Sequence, residues 1–130
     1  MAEKEVRDII TDLSFEIHKN NVAKGFYDKK TSTAERLALV HSEVSEALEA
    51  DRKDRRSSIA GIDASFLNLS DDDFKAYFET YIKDTFEDEL ADAMIRLMDM
   101  SAYEFVDIGL HIEAKLRYNK LRPYKHGKRY

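Results

Sequence analysis

The stretch Phe86-Glu-Asp-Glu-Leu-Ala-Asp-Ala-Met-Ile-Arg-Leu-Met-Asp-Met100 decides the fold class. At about 100° per residue, Phe86, Leu90, Ala91, Ala93, Met94, Ile95, Leu97, Met98 and Met100 cover about 260° of a helix circumference. The polar remainder, about 100° wide, holds Asp88, Glu89, Asp92, Arg96 and Asp99. A helix that is apolar nearly all round is expected at the centre of a bundle, with one acidic strip left over.

Helical periods continue outward from this segment. Val6, Ile9, Ile10, Leu13 and Ile17 predict a first helix over residues 3–23, stopped at Gly25 and followed by a loop over 24–32. Thr31, Ser32 and Thr33 are candidate caps for a second helix reaching about residue 53, with Leu37, Val40, Val44 and Leu48 as its core stripe. Periodicity is lost over 54–70, where Gly61 and several Ser predict an irregular excursion. Ser70 ahead of Asp71, Asp72 and Asp73 caps a helical region running to about Tyr103, with a break expected near 83–85. Asp107 caps a last helix that ends near Leu121, before Pro123. The expected fold is all-α: one domain over 1–130 with a four-helix-bundle-like core. An insertion at 54–82 lies between the second and third helices, and a basic tail covers 115–130. A core helix with so much apolar circumference leaves surface to cover, so a homodimer or homotetramer is expected.

Composition excludes several alternatives. The chain has 130 residues, 43% of them hydrophobic and 36% charged, with 4 Gly, 1 Pro and no Cys. That length supports one core. So few turn residues count against a β-sandwich or barrel. The lack of Cys excludes disulfide scaffolds, thiolate metal sites and a cysteine nucleophile. No apolar run approaches the roughly 20 residues of a membrane helix, and the start MAEKEVRDII is too charged for a secretory signal. A soluble cytoplasmic protein without a membrane partner is expected.

The net charge of −5 is unevenly spread. Seven of the 21 basic residues and none of the 26 acidic ones fall in 115–130, so a +7 tail follows a −12 body. An acidic body repels a polyanion, which disfavours nucleic acid as the main partner.

Acidic pairs three residues apart are common in so acidic a chain, so their helical face decides what they mean. With Leu37 at 0°, Glu46 falls at about 180° and Glu43 at about 240° on the second helix, in a sector shared with Leu39, Ala47 and Ala50. If the second helix runs antiparallel to the segment quoted above, Glu43 and Glu46 face Glu89 and Asp92. Four ionised carboxylates in a half-buried site need a cation. Oxygen ligands without Cys suit Mg2+ or Mn2+. The same residues could instead form a solvated acidic strip. A di-iron bundle is excluded, since the residues three before His18, His41, His111 and His126 are Phe15, Ala38, Ile108 and Pro123, none acidic. On the last helix, Lys115, Asn119 and Arg122 share a stripe suited to phosphate oxygens and ribose hydroxyls, or to an ordinary amphipathic end. Phe15, Phe26 and Tyr27, near the first connection, are candidates to stack on a base or to fill the core.

Three runs occur in order: Leu37-Ala-Leu-Val-His-Ser-Glu43-Val-Ser-Glu46-Ala-Leu-Glu49, Glu87-Asp-Glu89-Leu-Ala-Asp92-Ala, and Lys115-Leu-Arg-Tyr118-Asn119-Lys-Leu-Arg122. His126-Gly127-Lys128 follows them. Together they resemble MazG-like nucleotide pyrophosphohydrolases, all-α enzymes related to the helical dUTPases, over roughly 5–53 and 83–128. The resemblance implies Mg2+-dependent hydrolysis of a nucleoside triphosphate to a monophosphate and pyrophosphate. It implies Glu43, Glu46, Glu89 and Asp92 as metal ligands; a carboxylate not fully used by the metal can take the proton from water, and Glu46 or Glu43 is the candidate. The resemblance also implies Lys115, Asn119 and Arg122 as substrate contacts, to which Phe26 is added as a stacking candidate. The chain departs from the family between the two acidic motifs, where 42 residues separate Glu46 from Glu89 and the usual spacer is shorter. The alternative expectation is a non-catalytic helical module whose acidic strip and basic tail mediate assembly.

Overall fold

The computed structural model describes residues 2–57 and 63–130. Residues 58–62, the part of the expected irregular excursion that contains Gly61, lie outside the described residues. The described residues form five α-helices and no strand: α1 (Val6–Ala23), α2 (Thr33–Arg52), α3 (Asp71–Tyr81), α4 (Phe86–Tyr103) and α5 (Ile108–Leu121). A 3-10 turn spans Ala64–Asn68 and another Tyr124–Gly127. No helix among them is long and apolar enough to cross a membrane.

Short polar side chains set the helix starts. Ser32 Oγ accepts from Glu35 N at 3.1 Å, Ser70 Oγ from Asp73 N at 3.3 Å and Asp107 Oδ1 from Leu110 N at 3.1 Å, each meeting an amide with no partner inside the helix. The break near 83–85 separates α3 from α4, giving five helices where four main ones were expected. Asp84 takes a positive φ of 62°, and Thr85 Oγ1 accepts from Asp88 N at 3.3 Å to start α4 afresh.

The backbone divides into two units, Ser32–Leu97 and the residues up to Thr31 with Met98–Tyr130, so that α4 is shared between them. In the second of these units α1 packs along α5. The approach is close enough that a Cβ on Gly109 would lie 1.8 Å from the Arg7 carbonyl oxygen. Thr11 Oγ1 fits that crossing by accepting from Gly109 N at 2.9 Å and donating to Asp107 Oδ1 at 2.6 Å. That hydroxyl holds the Asp107 carboxyl below its usual range. Ser14 is wholly buried, with its hydroxyl donating to Thr11 O at 2.6 Å. Arg7 Nη1 meets Glu113 Oε2 at 2.8 Å.

In the Ser32–Leu97 unit, the chain leaves α2 and returns to α4 at one place. Phe86 N donates to Arg55 O at 2.9 Å, Ser57 N donates to Glu87 Oε2 at 2.9 Å, and the Arg56 guanidinium lies 3.8 Å from the Phe86 ring centre. An excursion pinned at its base can vary in length at small entropic cost and leave the helices it joins in place. Its far part carries its own packing: the Phe66 ring stacks on Phe74 and Tyr77, and Tyr77 meets Tyr81.

The core stripes differ from those expected. On α2 the buried residues are Val40, Glu43, Ala47 and Ala50, whereas Leu37, Val44 and Leu48 are exposed. On α1 it is Ser14 that is buried, while Val6, Ile9 and Leu13 are exposed. On α4 the acidic Glu89 is buried and Leu90, Met94, Ile95 and Leu97 are exposed, so this helix is not covered all round by its own chain. Ala47, Ala50 and Ala93 are buried on these helices, so the side chains closed off within one copy of the chain are mostly small ones.

Candidate metal centre

The four expected carboxylates all lie in the Ser32–Leu97 unit, on α2 and α4. Arg55 is bonded to Phe86, Glu46 to Glu89 and Glu43 to Arg96, so rising numbers on one helix meet falling numbers on the other. The two helices are therefore antiparallel here. An i, i+3 spacing stacks each acidic pair on one face of its helix, and antiparallel pairing turns the two faces toward each other.

Glu43, Glu46 and Glu89 each bring a carboxylate oxygen to within 4.8 Å of the other two. Glu43 and Glu89 are only 7% exposed, while Glu46 is open to solvent. Burial is the main cause that pushes the Glu89 carboxyl up to about 7, helped by its hydrogen bond to Glu46 and by the charges of Glu46, Asp88 and Asp92. Asp92 is half-buried and stands outside that group of three. Its carboxyl is raised by burial and by Asp88, Glu43 and Glu46, against a lowering by Arg96. Three of the four expected carboxylates are thus brought together. An all-oxygen donor set of this size, crowded enough to retain a proton near neutral pH, fits a hard divalent cation.

Two neighbouring features were not legible in the sequence. Arg96 Nε donates to Glu43 Oε1 at 2.5 Å, placing a guanidinium against the buried acid. A second carboxylate group, Asp84, Asp88 and Glu89, shares Glu89 with the first. Asp88 Oδ2 accepts from Asp84 N at 2.9 Å, which accounts for this acid as a fastening at the start of α4.

The remaining expected site residues lie in the other unit and are described there by themselves. Lys115 Nζ lies 5.3 Å and the Arg122 guanidinium 5.7 Å from the centre of the Tyr118 ring. Arg122 also donates to His126 O at 3.3 Å. Asn119 Oδ1 is shut off from solvent without a hydrogen-bond partner. Phe26 is largely exposed on the connection after α1. Tyr27 is already engaged: its hydroxyl donates to Asp99 Oδ2 at 2.7 Å, and its ring stacks on Tyr103 at 5.0 Å and meets the edge of His18. His18 Nδ1 takes the other Asp99 oxygen at 2.9 Å. Asp99, grouped by sequence with the acidic strip, therefore serves a separate polar and aromatic cluster. Its position seven residues after Asp92, two turns along the same helix, is the signal that placed it on that strip.

Compared with known proteins, the chain matches no family model, no curated protein and no solved structure.

Proposed function

We propose that this protein is an Mg2+-dependent nucleoside triphosphate pyrophosphohydrolase of the MazG-like kind. The observation that carries the proposal is the convergence of Glu43, Glu46 and Glu89 from two antiparallel helices, two of them nearly closed to solvent. The order of the acidic motifs and of Lys115, Asn119 and Arg122 along the chain adds to it. Mg2+, or Mn2+ in its place, would be held by these three carboxylates, with Asp92 beside them, and would neutralise charge developing at the α-phosphate.

The chain's own groups supply the rest. Water attacks the α-phosphorus, the bond to the oxygen bridging the α- and β-phosphorus breaks, and pyrophosphate leaves with that bond's electron pair. The water proton passes to a carboxylate, and Glu46 is the best placed because it alone of the three is solvent-exposed. Glu43 is the second candidate, but its oxygen is engaged by Arg96. Lys115, Asn119 and Arg122 are proposed for phosphate and sugar, on their shared stripe along the last helix. Phe26 is a candidate stacking surface, free of the engagement that occupies Tyr27.

The exposed stripes Leu37, Val44 and Leu48 on α2, and Leu90, Met94 and Leu97 on α4, support a bundle completed by a second copy in a homodimer or homotetramer. The same stripes favour a second reading, a non-catalytic assembly module. One experiment separates the two. A panel of nucleoside and deoxynucleoside triphosphates is incubated with Mg2+ and the products are resolved by chromatography. Monophosphate plus pyrophosphate supports the enzyme. Diphosphate plus phosphate means a different reaction, and an intact panel leaves the module.

A further inference from the structure

Four acidic residues and one arginine form a charge system with an odd member. Glu43 is among the least exposed acids in the chain, and Arg96 Nε touches the same carboxylate that stands within 4.8 Å of Glu46 and Glu89. The Arg96 side chain is itself 41% exposed, so it reaches the pair from the solvent side and has room to leave it. A buried carboxylate needs a positive partner, and either a guanidinium or a divalent cation meets that need. Both cannot do so fully at the same oxygen.

We propose that Arg96 is the resident counter-ion of the carboxylate cluster, which yields Glu43 to the divalent cation and then binds a phosphate oxygen of the substrate. The inference rests on the metal-dependent reading above and adds to it a coupling between cation and phosphate. With Glu43 taken over by the cation, the released guanidinium keeps its five donors in a planar fork that matches phosphate oxygens. The cation alone must displace an existing ion pair, whereas a cation arriving with a diphosphate or triphosphate leaves Arg96 with a new anion. Each ligand therefore tightens the binding of the other, by the same factor in both directions. Arg96 acts on the cation through Glu43 and is, in that part of its role, a positioning residue.

The test is calorimetric titration of Mg2+ into the full chain, alone and with the non-hydrolysable imidodiphosphate, for wild type, Arg96→Gln and Arg96→Lys. Arg96→Gln is expected to bind Mg2+ alone about three- to tenfold tighter than wild type and to lose the gain from imidodiphosphate. Arg96→Lys keeps the charge and should restore both the weaker Mg2+ affinity and part of the coupling. An arginine that only fastens α2 to α4 predicts the opposite, with Mg2+ affinity unchanged or reduced in Arg96→Gln, and that result overturns the proposal. Should Arg96→Gln fail to fold, the wild type decides: the Arg96 Nε–H resonance must shift and lose solvent protection as Mg2+ is added. A resonance indifferent to bound Mg2+ overturns the proposal as well. Wild type that binds no Mg2+ at all overturns instead the metal-dependent reading on which it stands.

Discussion

The buried Glu89 carboxyl on α4 faces that of Glu46 on α2 with oxygens within 4.8 Å, and Asp88 and Asp92 crowd it further, so burial and these neighbours favour a proton on it. Such a pair is stable only while that proton, or a cation in its place, is present. The relationship ties stability, pH and ion binding to the same few atoms.

The first consequence is a pH dependence of the cation-free protein. Glu89 is raised from an ordinary 4.5 to about 7, so the folded state holds its proton more tightly than the unfolded chain does. The resulting stabilisation is fully present below about pH 4.5 and is lost as pH rises through about 7; it amounts to at most about 3 kcal/mol. Melting in a chelator from pH 5.5 to 8 should therefore fall for wild type relative to Glu89→Gln. Parallel pH profiles for the two proteins would show that no such proton is held.

Mg2+ should raise the melting temperature of wild type, because an ion bound only to the folded state stabilises it by mass action. Glu46→Gln loses a charge and half its ligand capacity at nearly constant shape, and is expected to lose most of that rise and nearly all activity. Asp92→Asn should lose a smaller part, since Asp92 stands outside the group of three. An equal Mg2+-induced rise in all three proteins argues for a solvated acidic strip, where such changes move stability by about 0.5 kcal/mol or less.

Lys115→Ala should raise the Michaelis constant for triphosphate and leave the melting temperature near wild type. The lysine is exposed, with its Nζ 5.3 Å from the Tyr118 ring centre, so its loss removes little packing. Unaltered steady-state kinetics would return it to the ordinary surface lysines.

Gly109→Ala tests the α1–α5 crossing. In a helix interior this exchange stabilises by up to about 1 kcal/mol, and in the first turn of α5, where Gly109 sits, the gain is smaller. Here the new methyl meets the Arg7 carbonyl at 1.8 Å and Thr11 Oγ1 at 2.7 Å, so α1 must move away from α5. A net loss of about 1–3 kcal/mol is expected in urea unfolding. A neutral or stabilising result would mean that the two helices are not so closely apposed.

Leu48→Arg addresses the exposed stripe of α2, where Leu48 is 52% exposed. If a second copy covers this face, the charge cannot be buried without a partner, and sedimentation should show a smaller species than wild type. Identical masses would leave the stripe facing solvent.

Helix existence was legible in the sequence because caps and breakers act locally. Ser32, Ser70 and Asp107 start helices where their side chains meet free amides, and the break before Thr85 follows from a single left-handed residue, Asp84. The acidic pairs were equally legible, since spacings of three along one helix need no knowledge of any other. Which of the apolar positions on each helix are buried was legible only in part: on α2 the sector shared by Glu43, Ala47 and Ala50 is the buried one, and the larger stripe is not. Hydrophobic periodicity named Leu37, Val40, Val44 and Leu48; of these Val40 is buried, together with Glu43, Ala47 and Ala50, while the other three stay exposed within one copy of the chain. The partners of Glu43 and Asp99 likewise awaited the tertiary structure. A sequence can place Arg96 on an acidic strip and His18 and Tyr27 ahead of α2, but an ion pair spanning 53 residues and a hydrogen bond spanning 81 exist only once the chain has brought those residues together.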